Sequence, residues 1–173
     1  MGNTWRMVGT GYRELIIMRH AKTEQSAGSD RARRLTTRGR ADARAGGRWL
    51  DDNGLTPDVV LASPAARALA TGEIVCAELS GGLEPRSVDE LYGVSADQVV
   101  EILASTEPTV SSLLVVGHNP TMEDLAYGMQ QDPDDAWAAH LPTAGLVVLR
   151  APGEWADLAM GVAELTHWYV PRD

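Results

Sequence analysis

The sequence predicts an α/β fold in which helices sandwich a largely parallel sheet. Its 173 residues fit one ordinary domain, and no repeat, low-complexity tract or linker divides them. Short apolar runs alternate with longer segments of helical period, which is the pattern of repeated strand–helix units. The three strongest runs, Leu15–Met18, Asp58–Ala62 and Leu113–Gly117, are apolar nearly throughout. Strands of this kind are covered on both faces, so we expect them at the centre of the sheet.

The remaining elements follow from periodicity and from residues that start helices. Ser63 and Pro64 come directly after the second strand and predict a helix with Ser63 as its N-cap and Pro64 at its first position. Further helices are predicted over residues 36–51, 96–103 and 122–129, and further strands near residues 86–88, 145–149 and 156–162. We expect a single domain over residues 14–173. Residues 1–13 are expected to form a leader that is either loosely ordered or foreign to the natural chain.

Composition and charge narrow the class of protein. A net charge of −9 opposes general nucleic-acid binding, which needs a positive field along the phosphates. No run approaches the roughly 18 apolar residues that a membrane-spanning helix needs, so we expect no membrane partner. The single cysteine, Cys76, excludes an internal disulfide and any multi-cysteine metal site, which suits a cytoplasmic protein. An anionic substrate would therefore bind in a locally positive pocket.

Basic and imidazole side chains follow each of the three central strands. Arg19 and His20 come after the first strand, Arg67 comes a few residues after the second, and His118 follows the third. In an open α/β sheet, ligands bind beyond the carboxyl ends of the strands. We therefore expect these two histidines and two arginines to meet at one edge of the sheet.

This set of residue types suits phosphoryl transfer. Two arginines can hold a phosphoryl group by bidentate, charge-assisted hydrogen bonds, and a neutral histidine between them can attack phosphorus and carry the group covalently. Arg19, Arg67 and His118 supply the positive charge that a metal would otherwise provide, so we expect no metal and no cofactor. A carboxylic acid could protonate the leaving group. By chain position the candidates are Asp89 and Glu90.

The same residues resemble the motifs of the histidine phosphatase superfamily, in order along most of the chain. Leu15–Glu24, LIIMRHAKTE, is similar to the opening strand and Arg-His signature, with an alanine where many members carry glycine. Residues 34–39, RLTTRG, resemble the segment that opens the first helix, and residues 63–68, SPAARA, resemble the second arginine motif. Residues 90–92, ELY, match the region that carries the acid, and residues 117–120, GHNP, match the second histidine motif.

The resemblance implies a three-layer α/β/α sandwich of the phosphoglycerate mutase type and a role for each motif residue. His20 is implied as the nucleophile that is transiently phosphorylated. The phosphate-binding side chains are implied to be Arg19, Arg67 and His118. Glu90 is implied as the acid, with Asp89 as its competitor, and Arg34 as a residue at the mouth of the pocket.

Within that superfamily the chain is most similar to phosphohistidine phosphatases of the SixA type. The stretch between Arg67 and the strand at Leu113 is too short for the long insertions that roof the pocket in relatives acting on small sugar phosphates. An open pocket suits a phosphorylated side chain, so we expect a metal-independent phosphatase acting on phosphohistidine in a partner protein. The alternatives are a phosphatase or mutase acting on a small phosphorylated metabolite, and an inactive relative that only binds phosphorylated ligands.

Overall fold

A computed structural model describes residues 11–25, 28–133 and 140–172. Within these residues, six strands form one sheet and four α-helices accompany it. The strands are β1 (Tyr12–Arg19), β2 (Val59–Ala62), β3 (Arg86–Ser87), β4 (Ser112–Gly117), β5 (Leu146–Pro152) and β6 (Glu164–Tyr169). The helices are α1 (Thr37–Asp52), α2 (Ala66–Glu78), α3 (Ala96–Ala104) and α4 (Thr121–Gly128). Each predicted helix is present, and five of the six predicted strands are.

The sheet has the order β3-β2-β4-β1-β5-β6, and its pairing confirms the mostly parallel arrangement. β3, β2, β4 and β1 pair in parallel, whereas β5 runs antiparallel to β1 and β6 runs antiparallel to β5. β4 lies between β2 and β1, so the three strands predicted to be central are neighbours. Their carboxyl ends lie in register, with Arg19 beside Gly117 and Ala62 beside Val116.

Two apolar clusters, one on each face of the sheet, make the fold a three-layer sandwich. Alternate residues of β1 point to opposite faces, as the pleat of a strand requires. Ile16 and Met18 pack in the cluster that includes residues of α1 and α2, whereas Leu15 and Ile17 pack in the cluster that includes residues of α3 and α4. These four side chains are wholly buried and every residue of β4 is buried, so β1 and β4 are covered on both faces, whereas Val59 and Leu61 leave one face of β2 only partly buried.

Two local predictions were wrong. The stretch near residues 156–162 is not a strand. The short 3-10 turn Trp155–Asp157 overlaps its start, and the last strand, β6, begins only at Glu164. Burial of the Trp155 indole, whose Nε1 donates to the Val110 carbonyl at 2.7 Å, holds the chain in that turn. α2 begins at Ala66 with Ala65 as its N-cap, so neither Ser63 nor Pro64 takes its predicted position, and the Ser63 hydroxyl contacts His118 instead.

The first strand begins slightly before residue 14, where we expect the domain to start. β1 begins at Tyr12, and the Arg13 side chain forms an ion pair with Glu154 and donates to the Pro108 carbonyl at 3.0 Å. Residues 1–10 of the expected leader lie outside the described part of the chain. No helix among the described residues combines the length and the apolar character needed to cross a bilayer.

Candidate active site

The ends of the three central strands bring His20 and His118 together. The His20 amide donates to the Gly117 carbonyl at 2.9 Å, and the Ser63 amide donates to the Val116 carbonyl at 3.0 Å, so each loop is fixed to β4 where its strand ends. The two imidazole rings lie 5.3 Å apart between centroids. The edge expected from the sequence therefore exists, and it is lined by the residues that follow these strands.

The His20 ring is held in one tautomer. Its Nδ1 lies 2.8 Å from the carbonyl oxygen of Ala21. A carbonyl can only accept a hydrogen bond, so Nδ1 must carry the ring proton and Nε2 is left with its lone pair. Arg67 Nε donates to that Nε2 at 3.3 Å. The bare nitrogen of His20 thus faces the guanidinium of Arg67.

Burial and positive surroundings keep His20 neutral. The residue is only 9% exposed. Desolvation lowers the pKa of His20 from 6.5 to about 4, and the nearby charges of His118, Arg67 and Arg19 lower it too, against the hydrogen bond to Ala21, which raises it. A neutral imidazole at neutral pH is the form of histidine that can act as a nucleophile.

Asp30 fixes the orientation of Arg67. Arg67 lies near the start of α2 and is 6% exposed. Its Nη1 donates to the Asp30 carbonyl at 2.6 Å and its Nη2 donates to the Asp30 carboxylate at 2.9 Å. These two bonds use the outer fork of the guanidinium. The inner fork consists of Nε–H and the second hydrogen of Nη2, and its Nε–H donates to His20.

Tyr92 contacts both Asp30 and His118. The Tyr92 hydroxyl donates to the Asp30 carboxylate at 2.8 Å, and the Tyr92 ring stands edge-on to His118 at 5.6 Å. The hydrogen bonds from Tyr92 and Arg67 lower the pKa of Asp30 to about 2. On the outer side, the Arg31 guanidinium lies 4.8 Å from the centre of the Tyr92 ring. Asp30 is therefore an ionised carboxylate at neutral pH.

His118 is held by Ser63. Its Nε2 lies 2.7 Å from the Ser63 hydroxyl oxygen, and Ser63 is wholly buried. Burial and, after it, the charge of Arg67 lower the pKa of His118 to about 4, against the charge of Asp30, which raises it. If Ser63 donates its hydroxyl proton to Nε2, the ring proton lies on Nδ1. This Nδ1 is buried and has no hydrogen-bond partner among the described residues.

Arg19 is the last residue of β1 and bonds to a distant loop. Its Nη1 donates to the Leu141 carbonyl at 3.1 Å. Desolvation lowers the pKa of Arg19, although the carboxylate of Glu123 raises it. Its Nε is buried without a partner in the described part of the chain. Buried donors are nearly always paired, so an unpaired one at such an edge indicates a place for an acceptor.

The structure does not bring all of the predicted residues to this edge. Glu90 is exposed in the 3-10 turn Asp89–Leu91 and lines a separate cavity of about 700 Å³ whose wall includes Leu61 and Ile102. Arg67 and His118 line another cavity, of about 410 Å³, together with Tyr92. Glu90 therefore lies beside the candidate site and not in it.

Asp89 and Arg34 lie at the surface. Asp89 is exposed in the same turn as Glu90. The Arg34 side chain is exposed, and its backbone carbonyl accepts from the Glu24 amide at 2.9 Å. Near Tyr92, the guanidinium that the structure places at the mouth is that of Arg31.

Sequence reasoning missed the role of Asp30 and underrated Tyr92. Asp30 lies in an irregular segment where neither periodicity nor a strand end marks it. Tyr92 belongs to the same ELY stretch as Glu90. The stretch therefore contributes to the site through Tyr92, whereas Glu90 lines a different cavity. No group of three or more histidine, cysteine or acidic side chains among the described residues is placed to hold a metal ion.

The fold and the geometry place a neutral histidine beside the guanidinium of Arg67 and near the charge of Arg19, at the carboxyl edge of the sheet. Sequence comparison agrees: residues 15–96 match the histidine phosphatase superfamily (branch 1). The chain belongs to that superfamily. An uncharacterised protein of Mycobacterium tuberculosis, Rv1276c, is 38% identical over 162 residues, which cover 90% of this chain and 100% of that protein.

Solved structures agree with the sequence comparison. A protein of Nakamurella multipartitia described as phosphohistidine phosphatase SixA is 34% identical, with a TM-score of 0.80 over 93% of this chain and 97% of that one. The protein histidine phosphatase SixA complexed with tungstate is 25% identical, with a TM-score of 0.75 over 90% of this chain and 95% of that one. The chain is therefore similar to SixA proteins in sequence and in fold, which supports phosphatase activity.

Proposed function

We propose that this protein is a metal-independent phosphatase that forms a phosphohistidine intermediate on His20 and takes phosphohistidine in a partner protein as its substrate. The observation that carries the proposal is the fixed tautomer of His20, whose Nε2 lone pair faces Arg67 Nε at 3.3 Å. The buried Cys76, a free thiol, fits our expectation that the protein works in the cytoplasm.

In the first step, His20 Nε2 attacks the phosphorus atom and a new N–P bond forms. The N–P bond of the substrate breaks, and its electron pair returns to the substrate imidazole. When the distal nitrogen of that imidazole is protonated, the leaving group departs as a neutral ring. His20 keeps its Nδ1 proton on the Ala21 carbonyl and becomes a phosphoimidazolium of the same kind, so that the exchange is close to thermoneutral.

In the second step, water attacks the phosphoryl group on His20. The N–P bond breaks, the electron pair returns to Nε2, and His20 is again a neutral ring with its proton on Nδ1. Both hydrogens of the water leave with the product as dihydrogen phosphate. The positive environment of the two arginines stabilises the phosphoryl oxygens in both steps.

Two buried side-chain nitrogens without a hydrogen-bond partner support the placement of an oxyanion near the histidines. Arg19 Nε has no acceptor among the described residues, and His118 Nδ1 likewise has no partner. Arg67 places a further N–H group beside His20, its Nε–H, which donates to His20 Nε2 at 3.3 Å when no anion is bound. Tungstate, which the structurally similar SixA binds, has the tetrahedral oxygen arrangement that such donors would match.

The carboxylates around the site favour a nitrogen leaving group. An alkoxide must be protonated as it leaves, which requires an acid. Asp30 is the carboxylate at the mouth, and its bonds to Arg67 and Tyr92 keep its pKa near 2, so that it has no proton to give at neutral pH. Glu90 lines a different cavity. A phosphorylated imidazole, which leaves as a weak base, suits this arrangement better than an alkyl ester does.

The test compares hydrolysis of a histidine-phosphorylated protein with hydrolysis of an alkyl phosphate, using wild type, His20→Ala and the surface control His167→Ala. We expect wild type and His167→Ala to prefer the phosphohistidine substrate, and His20→Ala to be inactive on both. Rapid quenching should trap an acid-labile, base-stable label in wild type and His167→Ala, and none in His20→Ala. An excess of chelator should leave the rate unchanged.

Other outcomes would favour another function. Faster turnover of a small phosphate ester than of phosphohistidine would favour a metabolite phosphatase. Binding of tungstate without turnover of either substrate would favour an inactive relative. Substantial activity in His20→Ala would show that the covalent route through this residue is wrong.

A further inference from the structure

A closed ring of hydrogen bonds joins the start of α4 to the loop that contacts Arg19. Glu123, in the first turn of α4, accepts from the Leu141 amide at 2.5 Å and from Asn119 Nδ2 at 3.1 Å through the same carboxylate oxygen. Asn119 Nδ2 also donates to the Leu141 carbonyl at 2.9 Å. Both polar groups of the Leu141 backbone unit are therefore bonded to this pair of side chains.

The Leu141 carbonyl is also the acceptor for Arg19 Nη1, at 3.1 Å. A carbonyl oxygen has two lone pairs, and here Asn119 takes one and Arg19 takes the other. The position of the Arg19 guanidinium thus depends on a backbone carbonyl whose own position depends on Glu123. Further backbone bonds fix the other side of the loop, where the Ala144 amide donates to the Arg19 carbonyl at 3.1 Å.

The ring explains an acidic residue that anion binding alone would disfavour. A carboxylate close to Arg19 reduces the positive potential available to a phosphoryl group. The Glu123 side chain is nevertheless only about a quarter exposed, and its carboxylate accepts from the Leu141 amide. A carboxylate at this position weakens anion binding, so it needs a compensating role. Accepting hydrogen bonds from Leu141 and Asn119 at the same time is such a role.

We propose that Glu123 is a positioning residue for the phosphoryl site: through Leu141 and Asn119 it holds the Arg19 guanidinium in the orientation that binds an oxyanion. The inference rests on the proposed function, because it assumes that Arg19 is a phosphate ligand. Glu123 does not itself contact the substrate. Its effect should therefore disappear when Arg19 is removed.

The experiment is a double-mutant cycle on the full chain, with tungstate binding measured by calorimetry so that no turnover is needed. Glu123→Ala should weaken tungstate binding about ten-fold, within the range for residues that share one hydrogen-bond network. In an Arg19→Ala background, where Arg67 still binds the anion, the same change should cost less than about two-fold. Glu123→Gln keeps an oxygen acceptor for the Leu141 amide and should bind within about three-fold of wild type.

Asp124→Ala is the matched control, because Asp124 is the exposed acidic neighbour in the same first turn of α4. It removes the same charge near the helix N-terminus and should leave tungstate binding unchanged. If Glu123→Ala does not fold, Glu123→Met fills the same space without an acceptor and completes the cycle. Equal losses in the wild-type and Arg19→Ala backgrounds, or no loss in wild type, would overturn the inference. A wild-type protein that does not bind tungstate would overturn the proposed function itself.

Discussion

The guanidinium of Arg67 is held from outside by Asp30, through bonds of 2.6 Å to its carbonyl and 2.9 Å to its carboxylate. This contact turns the inner fork of Arg67 toward His20 Nε2. The orientation of the fork, and not only the positive charge, is what the structure supplies at this position. Arginine and lysine should therefore not be interchangeable here.

Arg67→Lys should lower kcat/KM on phosphohistidine by about 10²-fold or more, because a lysine keeps the charge but loses the planar fork. Arg44→Lys is the control: Arg44 is an exposed residue of α1 whose side chain lies 3.9 Å from Glu78. Steady-state kinetics on the two purified variants check this. A loss below about three-fold in Arg67→Lys would mean that charge alone is sufficient.

Glu90→Gln should change hydrolysis of both phosphohistidine and an alkyl phosphate by less than about three-fold, because Glu90 lines a separate cavity and general acids contribute roughly 10²- to 10⁴-fold. Asp89→Asn, at the exposed neighbouring position, serves as the comparison. Rates on the two substrates are measured side by side. A loss of 10²-fold on the ester alone would restore Glu90 as the acid, and the same result in Asp89→Asn would assign the role to that residue.

The stability of the protein should fall as the pH falls from about 6.5 to 4. In this range the unfolded chain takes up protons at His20 and His118, whereas burial lowers both pKa values to about 4 in the folded state. The unfolded state then binds more protons, so acid favours unfolding, by at most about 3 kcal/mol for each histidine. Urea unfolding at pH 7, 6 and 5 measures this.

His20→Gln removes one of these groups and should flatten the dependence of the unfolding free energy on pH. His167→Gln changes an exposed histidine and should leave the slope as it is in wild type. An equally steep slope in His20→Gln would contradict a neutral, buried His20. The same variant should also retain the wild-type fold at pH 7.

Gly39→Ala should destabilise the protein by about 2 kcal/mol, because overpacking costs more than a helical alanine gains. A Cβ at Gly39 would overlap the carbonyl oxygen of Lys22 and stand 3.0 Å from its carbonyl carbon. Thr36 bonds to that same carbonyl, so the contact joins the start of α1 to the segment that follows His20. Activity should fall together with stability.

Gly46→Ala, on the same helix, is the matched control. Its Cβ would meet the terminal methyl of Met18 at 3.3 Å, and a flexible side chain can move away. We expect a cost below about 1 kcal/mol. Thermal unfolding of the two variants compares them, and equal costs would show that the Lys22 contact has no special role.

The strands show how far the sequence could be interpreted. Continuous apolar runs identified β1, β2 and β4, because strands at the centre of a covered sheet carry few polar residues that would interrupt such a run. The stretch near residues 156–162 was misinterpreted because it is apolar without being a strand: its Leu158 is buried directly after a 3-10 turn, and a short apolar run does not distinguish a turn from a strand. Ser63 was predicted as a cap because local sequence favours that role, yet its hydroxyl contacts His118 from another strand.

By itself the sequence determined the class of fold and singled out His20, His118, Arg19 and Arg67 as candidates, since strand ends and local motifs depend on neighbours in the chain. Only the tertiary structure decided what orients them. Asp30 and Tyr92 are separated by 62 positions, and Arg19 reaches the Leu141 carbonyl across 122. Contacts between residues so far apart in the chain produce no periodic pattern in the sequence, because they depend on how distant loops pack and not on local backbone preference.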